Sequence, residues 1–268
     1  MVKVNFGQIA CCILLFCPFG VADEPKTADE AIDRYIKAVG GRDKIDAVKS
    51  LRVTGKTVLG GGMEMPVTME TKRPNKTRIE FTFSGMTGTR AYDGKTGWSI
   101  MPFAGKTDPE KMSDDEVKDM EDEADLDGPL VDYKTKGHRI ELLGKEDVEG
   151  SPAYKLKITK KNGDVESRFL DAETFLPVKT VSKATRHGTE VEMEQIMSDY
   201  KPVNGLMMAH SIQTRALGAA AGAMGGQATV VLEKVEANVE IPDARFSIPE
   251  AKKPEAPAEK KAEPEKKP

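Results

Sequence analysis

The stretch LRVTGKTVLGGGMEMPVTMETKRPNKTRIEFTF, residues 51–83, decides the fold, because apolar residues recur there with a period of two. Leu51, Val53, Thr57 and Leu59 fall on one face, and Gly60-Gly61-Gly62 turns the chain. Met63, Met65, Val67 and Met69 then alternate with Glu64, Thr68 and Glu70. Ile79, Phe81 and Phe83 alternate with Arg78, Glu80 and Thr82. Successive side chains of a strand point to opposite faces, so the pattern predicts strands that are apolar on one side.

The same period continues through Trp98 and Ile100 and resumes at Ile140 and Leu142. It returns at Tyr154, Leu156 and Ile158, at Val191, Met193 and Met197, at Leu206, Met208 and Ile212, and at Val230 and Leu232. Turn dipeptides separate the runs: Pro74-Asn75, Asp93-Gly94, Glu149-Gly150, Asn162-Gly163 and Asn204-Gly205. About ten to eleven strands are expected, joined by short turns with few helices between them. That organisation predicts a mainly β (α+β) chain with one antiparallel sheet, closed or nearly closed on itself. A twisted sheet of this size tends to curl.

Helices flank and interrupt the strands. Thr27 and Glu30 have capping-box spacing, and Ile32, Tyr35, Ile36 and Val39 follow on one helical face. Gly40-Gly41 stops this helix, and a second short one, residues 42–48, buries Ile45 and Val48. Ser113 and Glu116 repeat the capping box ahead of an acidic helix, residues 113–125, with Val117, Met120 and Ala124 as its apolar stripe. Residues 108–127 hold eleven acids against Lys111 and Lys118.

Both ends read differently from the middle. Residues 1–22 have Lys3 as the positive start, an apolar run from Ile9 to Phe19, and small residues Gly20-Val21-Ala22, as in a secretory signal cleaved after Ala22. An uncleaved anchor needs a longer apolar span, of about 20 residues. A lipid-modified cysteine is the other alternative, but Phe16 is bulky before Cys17, and hardly any apolar segment precedes Cys11. All three cysteines, Cys11, Cys12 and Cys17, lie in this segment, so the mature domain, residues 23–249, has no disulfide and no thiolate site. Residues 250–268 contain only Glu, Lys, Ala and Pro, the composition of a disordered tail. LGAAAGAMGG, residues 217–226, reads as a loop between strands.

The residues offer little for catalysis. The three histidines, His138, His187 and His210, are scattered, and His210 lies on the apolar side of a strand. A catalytic reading would need His210 beside an acid; a hydrogen-bonded core histidine is the plainer one. Phosphate-binding turns and a Gly-x-Ser-x-Gly elbow are absent. The acidic stretch lacks the ligand order of a calcium loop, so no cofactor or metal is expected. The formal charge of −4 gives no basic face for nucleic acid. Methionine is prominent instead: twelve follow residue 22, several on strand faces. Such side chains suit either an ordinary core or a surface for varied apolar shapes.

Three short stretches, in this order, resemble the periplasmic outer-membrane lipoprotein carriers, the LolA-like family with its LolB and sorting-protein relatives. They are Lys72-Arg73-Pro74-Asn75, then Tyr92-Asp93-Gly94-Lys95-Thr96-Gly97-Trp98 leading to Met101-Pro102-Phe103, and Pro242-Asp243-Ala244-Arg245-Phe246-Ser247-Ile248-Pro249. The resemblance spans roughly Leu51 to Pro249. It implies an incomplete antiparallel β-barrel whose mouth is covered by helices. It also implies a non-catalytic periplasmic carrier or binder of lipoprotein or lipid acyl chains, with envelope membrane proteins as further partners and a monomeric state. Met65, Met69, Phe81, Phe83, Trp98 and Ile100 are the expected cavity residues, and Arg73 the expected latch of the lid helices. The first helix, the acidic helix, the 217–226 loop and the tail depart from the family pattern. A stress-sensing interaction module of the same fold, with a filled core and no cargo, is the alternative.

Overall fold

The computed structural model describes residues 23–186, 188–218 and 226–249. The expected signal, most of the 217–226 loop, His187 and the expected tail lie outside these residues. Helices α1 (Ala28–Ala38) and α2 (Arg42–Ala47) come first. Six strands follow: β1 (Ser50–Leu59), β2 (Glu64–Lys72), β3 (Lys76–Phe83), β4 (Met86–Tyr92), β5 (Gly97–Met101) and β6 (Lys106–Lys111). Helix α3 (Asp114–Ala124) leads to β7 (Arg139–Val148), β8 (Ser151–Thr159), β9 (Val165–Asp171), β10 (Pro177–Arg186), β11 (Thr189–Val203), β12 (Leu206–Leu217) and β13 (Gln227–Ala237).

The strands form one open antiparallel sheet of thirteen, ordered β6-β5-β4-β3-β2-β1-β13-β12-β11-β10-β9-β8-β7. The expected ten to eleven strands are therefore too few. The extra ones lack the apolar signature: β6, KTDPEK, has no apolar alternation at all, and β10, PVKTVSKATR, has Val178 and Val181 as its only large aliphatic residues among Lys, Thr and Ser. Every neighbour in the sheet is a neighbour in sequence except β1 and β13, which pair from Leu51↔Ala237 to Leu59↔Ala228. The two edges, β6 and β7, are themselves consecutive, and the chain passes between them through α3 and the turns of 125–138.

Local chemistry fixes the helices. Thr27 caps α1 by accepting from the Glu30 amide at 3.2 Å, while the Glu30 carboxylate accepts from the Lys26 amide rather than closing a full box. Gly40 has φ +128°, and a Cβ there would stand 2.3 Å from the Gly205 carbonyl oxygen, so only glycine lets the α1 exit touch the β11–β12 turn. The box on α3 is complete: the Glu116 amide donates to Ser113 Oγ, and the Ser113 amide donates to Glu116 Oε2 at 2.8 Å. A Ser113→Ala variant is expected to melt roughly 2–4 °C lower in a circular-dichroism scan, the equivalent of about 1 kcal/mol for a lost cap.

Packing places these helices on one side of the sheet. Ala31 and Ile32 of α1 bury against Ile140, Tyr154, Leu156, Ile158 and Leu170, with Leu130 beside them. Met120 and Ala124 of α3 bury against Tyr92, whose hydroxyl donates to Glu121 at 3.0 Å. Burial, with Glu121 beside it, pushes that phenol up to about 12. Gly97 admits α3 closely, since a Cβ there would meet Met112 and Val117 within 3.0 Å.

The opposite, convex face has its own cover. Ile241 and Phe246, flanking the 3-10 turn Asp243–Arg245, are 2% and 0% exposed. Trp98 is 1% exposed there and donates from Nε1 to the Phe246 carbonyl at 2.7 Å. Arg245 pairs with the buried Glu70 at 2.8 Å, and Lys72 and Lys76 both reach Asp243. These contacts strap the last described segment across β2 to β5.

Candidate functional site: an apolar cavity on the concave face

A cavity of about 770 Å³ lies against the concave face. Its wall follows from strand periodicity. Leu51, Val53 and Thr57 of β1 stand beside Met65, Val67 and Met69 of β2, then Ile79 and Phe81 of β3. On the other side Leu232 and Val230 of β13 continue into Ile212 of β12 and Met197 of β11. Tyr35 of α1 and Val39 just after it, with Glu123, Asp125 and Leu126 around the end of α3, close in from the side opposite the sheet. The volume and the apolar lining are those of a site for a small hydrophobic ligand.

Of the expected cavity residues, Met65, Met69 and Phe81 lie in this wall. Phe83 stands just beyond it. Its ring is 6.1 Å from Phe103, which in turn is 5.7 Å from Phe81. Phe103 and Met86 are partly exposed, so this end of the cavity has an apolar rim. Gly88 makes room for those rings, because a Cβ there would come within 2.9 Å of both Phe103 and Phe81. Trp98 and Ile100 are elsewhere. Trp98 pairs with Ala91, whereas Arg90 points into the cavity, so the register sends Trp98 and Ile100 to the convex face.

Arg73 sits at the other end. Its Nε donates to the Val48 carbonyl at 2.7 Å and Nη2 to the Ile45 carbonyl at 3.1 Å. These are carbonyls at the C-terminus of α2, where the Ile45 carbonyl also accepts from the Val48 amide at 3.2 Å. The same guanidinium forks onto Asp127, at 2.7 and 2.5 Å. The arginine holds the Asp127 carboxyl below its usual range, chiefly by hydrogen bonding. One side chain thus ties the β2–β3 turn, helix α2 and the segment after α3 together. A smaller void of about 150 Å³ lies beside it and shares Tyr35, Val39, Leu51, Leu126, Met207 and Met208 with the large cavity.

Sequence reasoning missed the polar members of the lining. Arg90, Glu123 and Asp125 face the cavity. Tyr200 also lines it, and its hydroxyl donates to the Pro177 carbonyl at 2.5 Å. Val67, Met197, Ile212, Val230 and Leu232 share the period of the named residues and could have been added from it. His210 is buried, with Nδ1 donating to the Met208 carbonyl at 2.9 Å. Among the described residues no three His, Cys, Asp or Glu side chains gather as a metal site, and no helix is long and apolar enough to cross a membrane.

No family model and no curated protein matches the sequence. Solved structures do match in shape. A DUF1329 family protein from Desulfovibrio piger is 14% identical, with a TM-score of 0.57 over 82% of this chain and 97% of its own. A LolA superfamily protein from Nitrosomonas europaea is 14% identical, with a TM-score of 0.56 over 83% of this chain and 98% of its own. An outer membrane lipoprotein-sorting protein domain from Vibrio parahaemolyticus is 12% identical, with a TM-score of 0.55 over 82% and 97%. The resemblance seen in the motifs therefore holds for the whole architecture: this chain has the fold of LolA superfamily and lipoprotein-sorting proteins.

Proposed function

We propose that this protein is a non-catalytic holder of acyl chains, carrying lipid or lipoprotein through the periplasm after cleavage of residues 1–22. The observation that carries this reading is the 770 Å³ cavity with methionine, valine, isoleucine and phenylalanine on its sheet wall. Burying an acyl chain stabilises by about 0.8 kcal/mol per methylene. Ten methylenes thus contribute about 8 kcal/mol, enough to offset much of the cost of leaving a bilayer. The fold neighbours concerned with lipoprotein sorting support the cargo class. Helices α1 and α2 would form the lid, and Arg73 its latch. The alternative, a sensing module with a filled core, would leave no open void of this size.

The test is direct. Protein purified from its native envelope is expected to yield fatty-acyl species on solvent extraction and mass spectrometry. The delipidated chain is expected to take up a fluorescent fatty acid in about one-to-one ratio. An empty extract together with no uptake would remove the reading.

A further inference from the structure

Among the described residues, Arg90 is the one cation that lines the large cavity. It projects from β4 beside Ile79 of β3, its cross-strand partner on the concave face. Among the described residues its guanidinium makes no hydrogen bond. Its nearest acid is Glu123 at the end of α3, 3.9 Å away, too far to bond. The neighbouring acids are already held, Asp125 by Lys136 at 2.5 Å and Asp127 by Arg73. A guanidinium offers five donors in a planar fork shaped for a carboxylate or a phosphate. The side chain is 27% exposed, so water reaches these donors in the empty cavity, and an anion in the fork would replace that water with charge-assisted hydrogen bonds.

We propose that Arg90 is the headgroup site of this cavity, binding the anionic head of a single-chain amphiphile whose tail lies along β1 to β3 and β11 to β13. The proposal rests on the acyl-holding reading and goes further, because it makes the ligand charged. The head would enter the fork from the cavity side and displace the loose contact with Glu123. The Glu123 side chain is 36% exposed and stands 3.9 Å away, so water screens its hold on the guanidinium. The shared chemistry is a carboxylate or phosphate oxygen pair, from a free fatty acid or a lipid phosphate.

Three probes of equal chain length test this against the full chain: palmitate, hexadecyl phosphate and hexadecanol, each displacing a neutral fluorescent dye at one pH. At least one anion is expected to bind about tenfold to a hundredfold more tightly than the alcohol, the range of charge-assisted hydrogen bonds. The tighter anion names the source. Arg90→Met should abolish that preference, Arg90→Lys should keep part of it, and Glu123→Gln should tighten both anions. Circular dichroism and melting confirm that each variant is folded. Equal binding of alcohol and anions by the parent chain, or an undiminished preference in Arg90→Met, overturns the proposal and leaves the acyl-holding reading intact. Failure of all three probes overturns both.

Discussion

An Arg73→Gln variant is expected to melt roughly 5–10 °C below the parent chain and to bind acyl probes faster. The magnitude follows from what the guanidinium holds. Removing one partner of a fully buried ion pair costs about 3–5 kcal/mol, because the other charge is stranded. Here the side chains of Arg73 and Asp127 are 24% and 16% exposed, so water screens part of that cost. About 2–3 kcal/mol remains, and a chain of this size loses about 2–4 °C per kcal/mol. The Val48 carbonyl loses the Arg73 donor at the same time, and the Ile45 carbonyl keeps only the Val48 amide, so the loss concentrates where α2 meets the sheet. Opening that end frees the route past Leu206 and Met207, hence the faster uptake.

The pH dependence separates the ion pair from simple packing. Asp127 is held below its ordinary value of 3.8 by Arg73. A depressed acid contributes stability that is present above its unfolded value and lost as pH falls through its folded value. The parent should therefore lose this contribution only below about pH 4, where the aspartate protonates. Arg73→Gln lacks this acid-labile contribution, so its difference from the parent should be largest at neutral pH and shrink in acid, where the two melting temperatures draw together. A constant difference from pH 7 to pH 3 would assign the effect to packing instead. Stopped-flow binding of a fluorescent fatty acid measures the kinetic half of the prediction.

Residues 51–83 make the sheet legible because each strand there is polar on one face. Met65, Met69 and Phe81 could be placed on a common wall for that reason alone. Trp98 could not. Alternation gives relative faces, and the convex face near Trp98 is buried too, beneath Ile241 and Phe246. Apolar Ala91 and Trp98 then point away from the cavity, and charged Arg90 points into it. The usual sense of the pattern is reversed where both faces are covered. Asp127 was hidden for another reason. Its partner Arg73 is 54 residues away, and only the path of the chain from β6 to β7 brings them together. Strand β6 was hidden because it sits at an edge, where polar residues are tolerated on both faces.

The same two-residue period supplies the sharpest test of the cavity. Val230 faces it from β13, flanked by Thr57 on β1 and Ile212 on β12, which also line it. Thr229, one residue earlier, points to the other side of the sheet between Val58 and Gln213. Val230→Asp is expected to weaken fatty-acid binding by roughly a hundredfold or more, while Thr229→Asp changes it by less than about threefold. The charge added is the same in both. At position 229 it lies on the far side of the sheet from the cavity, so its half-buried surroundings are the same whether or not ligand is bound. At position 230 it is hydrated in the empty cavity, and an incoming acyl chain must strip that water away. The effective penalty is several kcal/mol per ion, and each 1.4 kcal/mol is tenfold in affinity. Because the empty cavity leaves the carboxylate wet, the fold should survive, with both variants melting within about 5 °C of the parent. Parallel titrations of the two variants read this directly. Equal weakening would mean that the sheet, not the cavity, responds to charge. No weakening at Val230 would mean that the ligand lies elsewhere.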